Sequence, residues 1–183
     1  MGAEYGAPAF SRIRVSPAAG AGQVERRYPD AVHVVLVHPE IPQNTGAIGR
    51  LTAAFGAHLH LVEPLGFSLD ERRVRRAGLD YWHLVDLTVH ADVDACFGHL
   101  AAERGARPLA ERLRLFTARA GAPIREVALC PDDVLVFGAE SDGLPSELVE
   151  AHRERLVRIP IREGVRSINL SNAVAIALFA AGR

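Results

Sequence analysis

The sequence predicts an α/β domain built on a mainly parallel sheet flanked by helices. Short apolar, β-branched runs alternate with helical stretches from residue 32 onward, and this alternation is typical of parallel-sheet proteins. The chain has 183 residues, of which 49% are hydrophobic and 23% are charged, so we expect one domain with an ordinary core. In such sheets, ligands bind at loops that leave the carboxyl ends of the strands.

The elements follow from the length and the pattern of each apolar run. Short runs of Val, Leu, Ile and Phe predict buried strands, whereas longer stretches of helical patterning predict helices. The predicted strands are residues 32–37, 58–62, 113–117, 134–137 and 156–159. The predicted helices are residues 45–55, 91–104, 146–151 and 170–181. The last helix is apolar almost all round, which predicts burial in the core or in a subunit interface.

The first 30 residues have a different composition from the rest. They are rich in Gly, Ala and Pro, with SPAAGAGQ at 16–23, so we expect a flexible tail at 1–30 and the folded domain at 31–183. The N-terminus lacks the apolar segment of a secretory signal, and no apolar run approaches the ~18 residues that span a bilayer. We therefore expect a cytoplasmic protein with no membrane partner.

Composition also bears on metal and nucleic-acid binding. The net charge is −1, and all 21 basic residues are arginine, so any phosphate contact comes from a planar guanidinium. Cys96 and Cys130 are far apart and have no ligand-like spacing, which argues against a disulfide framework and a cysteine-based zinc site. His58 and His60 alternate within a predicted strand, and we interpret them as ordinary strand positions. We expect no metal.

The loop after the first strand, HPEIPQNTGAIGR at 38–50, is chemically unusual. Asn44 or Thr45 can cap the following helix. Two glycines in that helix cost about 1 kcal/mol each relative to alanine, which is wasteful unless something approaches the backbone closely. Arg50 lies in the second predicted turn, where neither capping nor the helix dipole requires a cation. Taken alone, it is interpreted as a surface arginine on an amphipathic helix.

Two later loops also carry more polar groups than a turn needs. GAESDGLPSEL at 138–148 puts a carboxylate, Glu140, just after a strand; it is either a polar turn with a capped helix or part of a site. It is not a nucleophile elbow, because Ser141 stands one place too late, and this disfavours a hydrolase. The third loop crowds four amides and hydroxyls before the last helix, which indicates either redundant capping or an additional role. These residues are Ser167, Asn169, Ser171 and Asn172.

Taken together, the loops contain three ordered motifs. These are N-x-G-x-x-x-R at 44–50, F-G-x-E-x-x-G-L-P at 137–145 and I-P…R-S-x-N-L-S-x-A at 159–173. They resemble the signature motifs of the SPOUT-class RNA 2′-O-methyltransferases. The stretch EPLGFSLDERRVRRAGLDYW at 63–82 is similar to the subgroup that methylates cytidine or uridine 34 of tRNA. The resemblance covers about residues 32–181.

The resemblance implies a fold and a cofactor that spacing alone does not give. It implies a deep C-terminal trefoil knot, which ordinary connection rules nearly exclude, and a homodimer formed through the knot and the C-terminal helix. It also implies S-adenosylmethionine as the cofactor and the tRNA anticodon loop as the partner. The cofactor-binding residues that it implies are Thr117, Gly138, Ile159 and Ser167, with a side chain at Gly138 expected to collide with the cofactor.

The same resemblance implies the catalytic and RNA-binding residues. Arg50 acts on the ribose 2′-hydroxyl as a base, as a phosphate anchor or as both, while Asn44, Glu140 and Asn169 hold it and the nucleotide in place. Tyr81 or Trp82 can stack on an unpaired base, although Trp82 can equally belong to the core. A basic run is expected either to follow the RNA backbone or to form a solvated face; it consists of Arg72, Arg73, Arg75 and Arg76. The rival functions are 2′-O-methylation of another tRNA or rRNA nucleotide and a non-catalytic RNA-binding knot protein.

Overall fold

The sheet dominates the architecture. A computed structural model describes residues 13–15, 31–69, 81–103 and 107–182. In these residues eight strands form one sheet: β1 (Ile13–Val15), β2 (His33–Val37), β3 (His58–Val62), β4 (Asp86–His90), β5 (Leu113–Thr117), β6 (Ala122–Pro123), β7 (Val134–Phe137) and β8 (Leu156–Arg158). Their order is β1-β4-β3-β2-β7-β5-β8-β6, and every neighbouring pair is parallel. The predicted α/β class with a mainly parallel sheet is confirmed.

Helices cover both faces of this sheet. They are α1 (Pro42–Phe55), α2 (Val93–Ala101), α3 (Leu109–Arg112), α4 (Ser146–Ala151) and α5 (Leu170–Ala181). One core cluster joins α1 and α5 to side chains such as Leu36 and Leu61, and a second joins α2 to Val35 and Val62. Because successive residues of a strand point to opposite faces, each central strand contributes to both clusters. This arrangement explains why the central strands are uninterrupted apolar runs.

Most predicted elements are present with small changes at their ends. Three of the predicted strands and two of the predicted helices have the observed bounds, whereas the helix predicted at 91–104 is shorter at both ends. Strand β4 was not predicted, since its apolar residues are interrupted by Asp86, Thr88 and His90. Part of the predicted tail is also in the sheet: Ile13–Val15 pair with β4 at its edge.

Helix α1 differs most from the prediction at its start. It begins at Pro42, three residues earlier than expected, with Ile41 as the N-cap and no side-chain capping bond. Proline suits the first helical position, where its missing N–H removes no helical bond. Asn44 and Thr45 therefore lie inside the helix and are buried, so the prediction that one of them caps it is wrong.

Among the described residues, no helix has the length and apolar character that crossing a bilayer requires.

Candidate active site

Three polar loops meet at one edge of the sheet. They follow β2, β7 and β8, and these strands lie close together in the order β2-β7-β5-β8. Since all the strands are parallel, the three loops leave the same edge, as expected for a ligand site in an α/β protein. The loops are far apart in sequence but are joined by side-chain hydrogen bonds.

Glu140, after β7, ties the second loop to the first. Its carboxylate accepts from the backbone N–H of Glu40 at 2.8 Å, from the backbone N–H of Ile41 at 3.3 Å and from Asn44 Nδ2 at 2.9 Å. A carboxylate from another loop thus satisfies N–H groups at the start of α1, where the helix dipole favours negative charge. The side-chain oxygen of Asn44, Oδ1, is left for a different contact.

That contact reaches the third loop. Asn44 Oδ1 accepts from Asn169 Nδ2 at 2.9 Å. Asn169 Oδ1 in turn accepts from the backbone N–H and the hydroxyl of Ser171, at 2.9 and 2.6 Å, and so caps α5. A carboxylate only accepts, so it fixes which way each amide in this chain points. Asn169 is therefore both a cap and a link, which explains part of the surplus of polar groups before α5.

Glu40 and Ser141 form a reciprocal tie that sequence reasoning missed. The Glu40 carboxylate accepts from the backbone N–H of Ser141 at 2.9 Å and from its hydroxyl at 2.7 Å. Each of the two loops therefore sends one carboxylate to the backbone of the other. The sequence does contain a signal for this contact: Glu40 places a carboxylate in the first unusual loop, just as Glu140 does in the second.

The three loops enclose a cavity of about 770 Å³, which is within the usual range for a small-molecule site. Asn44 lies at one side, and apolar walls come from Phe116, Phe137 and Leu170. Arg119 and Arg166, which were not predicted as site residues, add two exposed guanidinium groups. The cavity brings together the remaining predicted cofactor and polar residues: Thr117, Gly138, Glu140, Ile159, Ser167 and Asn169.

Gly138 is required by the chain itself. A Cβ atom built there would lie 1.9 Å from the carbonyl carbon of Gly143 and 2.1 Å from the backbone nitrogen of Leu144. The loop folds back because Ala139 and Gly143 exchange two backbone hydrogen bonds, at 3.0 and 2.9 Å. The collision that we expected with the cofactor therefore occurs with the loop's own backbone. Glycine at 138 shapes the cavity wall.

Thr117 closes a turn at the cavity wall. Its hydroxyl donates to the carbonyl of Ala120 at 2.6 Å and accepts from the N–H of the same residue at 3.0 Å. These two bonds hold the turn after β5. Thr117 therefore fixes the shape of the loop that carries Arg119.

Arg50 lies on α1 beside Tyr81 rather than in the lining of the cavity. Its guanidinium carbon is 4.3 Å from the centre of the Tyr81 ring, within the range of a cation–π contact. The Tyr81 hydroxyl donates to the carbonyl of Gly46 at 2.9 Å. The ring is therefore fixed to the helix that carries Arg50, and Arg50 itself is exposed.

Trp82 belongs to the core. It is 8% exposed and packs in the cluster that contains α1. A Cβ atom at Gly49 would come within 2.7 Å of its ring, so the close approach to the helix backbone that we expected comes from Trp82. Stacking of this ring on an RNA base is therefore not supported.

The predicted RNA-binding run lies outside the described residues. It consists of Arg72, Arg73, Arg75 and Arg76.

Comparison with known proteins shows the family of this chain. Residues 31–179 match the SpoU rRNA Methylase family. A Burkholderia cenocepacia protein described as a tRNA (cytidine(34)-2′-O)-methyltransferase is 50% identical over 152 residues, which are 82% of this chain and 94% of the relative. A Burkholderia ambifaria protein with the same description is 48% identical over the same shares. A solved structure described as giving insights into the 2-OH methylation of C/U34 on tRNA has 44% identity and a TM-score of 0.74, and the match covers 84% of this chain and 95% of that one. The chain belongs to the SpoU rRNA Methylase family.

Proposed function

We propose that the protein transfers a methyl group from S-adenosylmethionine to the ribose 2′-hydroxyl of nucleotide 34, the wobble nucleotide of tRNA. The observation that carries this proposal is the cavity whose three loops are joined through Glu140, Asn44 and Asn169. The chain is also about half identical, over nearly their whole length, to relatives described as acting at cytidine 34.

The cavity suits S-adenosylmethionine in size and in lining. Its apolar walls suit an adenine ring, and Gly138 and Ile159 are among the residues that line it. Ile159 would offer backbone atoms to the adenine, Ser167 would add a side-chain contact, and Thr117 would hold the turn at the neighbouring strand. When bound, the cofactor supplies an electrophilic methyl group on a sulfonium ion.

Arg50 is proposed as the residue that acts on the RNA. The 2′-hydroxyl is weakly acidic, so a positioned group must orient it and assist loss of its proton. A guanidinium has a pKa above about 12 and is by itself a poor base; contact with an adjacent phosphate would bind the nucleotide and orient the hydroxyl. Tyr81 holds the guanidinium at the surface of α1, where RNA can reach it. The hydrogen bonds among Asn44, Glu140 and Asn169 fix the position of the cavity loops relative to α1.

A knotted homodimer is the assembly that we propose. Helix α5 exposes Ile176 at 41% and Phe179 at 76%, and α1 exposes Phe55 at 48%. Apolar side chains on two packed helices favour a subunit interface. Arg50 does not line the cavity of its own subunit. In a dimer, Arg50 of one subunit would complete the site at the cavity of the other. The C-terminal trefoil knot and a cytoplasmic location remain part of this proposal, as do RNA contacts by the arginines at 72, 73, 75 and 76.

The decisive experiment is transfer of labelled methyl from S-adenosylmethionine to bulk tRNA that lacks this modification, followed by mapping of the methylated nucleotide. Label on the ribose of nucleotide 34 is expected. Label at another tRNA position, or only on ribosomal RNA, would contradict the substrate but retain the chemistry. Cofactor binding without transfer to either RNA would favour the non-catalytic RNA-binding protein.

A further inference from the structure

A ladder of histidines lies on the opposite side of the sheet from α1 and α5. His33, His60 and His90 come from the neighbouring strands β2, β3 and β4 and are 2%, 3% and 1% exposed. His33 Nδ1 is 3.0 Å from His60 Nε2, and His60 Nδ1 is 3.0 Å from His90 Nε2. Four buried imidazole nitrogens are thus paired across three strands.

The carboxylate of Glu103, at the His33 end of the ladder, sets the direction of these hydrogen bonds. His33 Nε2 is 3.3 Å from a carboxylate oxygen of Glu103, which also pairs with the buried Arg112 at 2.9 Å. Because the carboxylate accepts, His33 donates from Nε2 and accepts at Nδ1, and His60 repeats the pattern. His90 then donates from Nε2, which leaves a lone pair on Nδ1. His90 Nδ1 is buried and has no hydrogen-bond partner.

A thiol completes the cluster. Cys96, on α2, is fully buried, and one ligand atom from each of His60, His90 and Cys96 lies within 4.8 Å of the other two. Donors around a tetrahedral zinc ion, at about 2.0–2.3 Å from it, are about 3.3–3.7 Å apart. A contraction of at most about 1.5 Å between these atoms would bring all three onto one ion.

We propose that His60, His90 and Cys96 form a buried binding site for Zn²⁺ or a similar divalent cation that prefers nitrogen and sulfur ligands. Imidazole and thiolate are the ligands that zinc takes in structural sites. His60 would bind through Nδ1, which would give up its hydrogen bond from His90 Nε2–H to the ion, while its Nε2–H still donates to His33, which is held by Glu103. This is the carboxylate–histidine support that orients metal-binding imidazoles.

His99 lies at the solvent side of the site. It is exposed, three residues after Cys96 on α2, and its ring centre is 5.4 Å from that of His90 and 6.0 Å from that of His60. Residues three apart share a helix face, so a change of rotamer would bring His99 in as the fourth ligand. Its exposure also gives the ion a path from solvent.

Binding would change the protonation of the site. Imidazole binds the ion as the neutral ring, whereas the thiol must lose its proton to solvent as the Zn–S bond forms. Affinity should accordingly increase with pH. The site is separate from the cavity, so its expected effect is on stability.

A metal at this place would run against the expectation of no metal, which rested on the spacing of the two cysteines and on His58 and His60 as ordinary strand positions. The other two proposed ligands lie on β4 and on α2, 30 and 36 residues after His60, and no local spacing displays such a set. Cys96 has no second cysteine nearby in sequence, so the usual sequence signature of a zinc site is absent.

The test uses the full chain without a histidine tag, first treated with a chelator. Added Co²⁺ should give the visible bands of tetrahedral cobalt and the near-ultraviolet thiolate-to-cobalt charge-transfer band, and Zn²⁺ should abolish both. Cys130→Ser is the matched control and should keep the full spectrum, because Cys96 is then the only thiol left. Cys96→Ser should lose the charge-transfer band, and His33→Gln should weaken Zn²⁺ binding by roughly 10–100-fold.

Two outcomes would overturn the proposal. One is the lack of a charge-transfer band in the unsubstituted protein and in Cys130→Ser with cobalt in excess. The other is loss of the band in Cys130→Ser, which would place the thiolate ligand at Cys130 beside Asp132 and Asp133. The Cys130→Ser result decides the question even if Cys96→Ser does not fold. Zn²⁺ should also raise the Tm of Cys130→Ser, since an ion that binds only the folded state stabilises it.

Discussion

Two hydrogen-bond chains in this molecule start at a carboxylate and end differently. In the loop chain, Glu140 accepts from Asn44, which accepts from Asn169, which accepts from the N–H and hydroxyl of Ser171. In the histidine chain, Glu103 accepts from His33, followed by His60 and His90. The first chain ends on donors at the start of α5, whereas the second ends on a buried lone pair without a hydrogen-bond partner.

The way each chain ends indicates its role: the loop chain positions the loops around the cavity, whereas the histidine chain can bind a proton or a cation. A saturated chain has no vacant acceptor at its end, and a fully satisfied polar network rigidifies the elements that it joins; here it joins three loops around a cavity. A chain that ends on an unpartnered acceptor has a place for a proton or a cation, and such a group is costly to leave unpaired. Substitutions in the loop region should therefore change the rate of catalysis. Protonation of His90 Nδ1, or binding of a metal ion to it, should change the free energy of unfolding.

The largest expected effect is on methyl transfer and comes from Arg50. Arg50→Ala should lower the rate of transfer to tRNA by about 10²–10⁴-fold, the usual contribution of a positioned acid–base group. Cofactor binding should remain nearly intact, because Arg50 does not line the cavity. The measurements are single-turnover transfer of labelled methyl and calorimetric titration with S-adenosylmethionine.

The control for Arg50→Ala is Arg153→Ala. Arg153 is an exposed arginine paired with Glu150 at the opposite end of β8 from the cavity, and surface pairs contribute little. It should transfer methyl at the normal rate. If Arg50→Ala lost cofactor binding, its proposed role in acting on RNA would be wrong.

The second-largest effect tests whether the loop chain positions the cavity loops, and it comes from Glu140. Glu140→Gln replaces one accepting oxygen by an NH₂ group. This donor would then face another donor, either a backbone N–H of Glu40 or Ile41 or the Asn44 side-chain amide. A displacement of about 1 Å at a site costs up to ~10²-fold in rate, and an unpaired polar group costs about 1–3 kcal/mol. Transfer assays and denaturant unfolding should show both losses.

The matched substitution is Glu147→Gln, which changes an exposed carboxylate in the first turn of α4. It should alter the free energy of unfolding by at most about 1 kcal/mol, the range of a helix-dipole contribution, with normal transfer. Equal losses in the two variants would mean that the Glu140 contacts do not position the loops.

The third effect is specific to the histidine chain and depends on pH. Burial and neighbouring histidines lower the pKa of His60, and burial lowers that of His90 from 6.5 to about 4. The unfolded chain then binds protons that the folded chain does not, so stability is complete above about pH 6.5 and declines as the pH falls toward 4. His90 alone should cost roughly 3 kcal/mol over that interval. The other groups near the two rings are His33, His58, His99, Asp92, Cys96 and Glu103.

The measurement is the free energy of unfolding against pH in the presence of a chelator. His90→Gln should flatten the curve because an amide does not titrate in this range. His83→Gln replaces an exposed histidine on a short turn and should leave the slope unchanged. An unchanged slope in His90→Gln would mean that the buried ladder is not the source of the acid sensitivity.

The two chains also differ in how far the sequence predicts them. The loop chain lies in three contiguous motifs, so the sequence alone points to Asn44, Glu140 and Asn169, and the fold brings them within hydrogen-bond distance. The histidine chain uses one residue from each of three strands, and in the register His33 pairs with His58 and His90 with Val62. His60 therefore lies diagonally between His33 and His90, an arrangement that only the assembled sheet creates. Local patterns predicted β2 and β7, which are mostly apolar, and missed β4, in which polar residues alternate with apolar ones.

The smallest expected effect concerns Tyr81, at the margin of the loop region. Tyr81→Phe removes the hydroxyl that donates to Gly46 but keeps the ring under Arg50, so it should cost about 1 kcal/mol of stability with near-normal transfer. Tyr81→Leu also removes the ring, and loss of an exposed cation–π contact of about 0.5–1 kcal/mol should lower transfer by roughly 2–5-fold. Cofactor affinity should be unchanged in both variants. If both variants lost the same activity, the hydroxyl rather than the ring would be what orients Arg50; if neither lost any, bound RNA alone would set the position of the guanidinium.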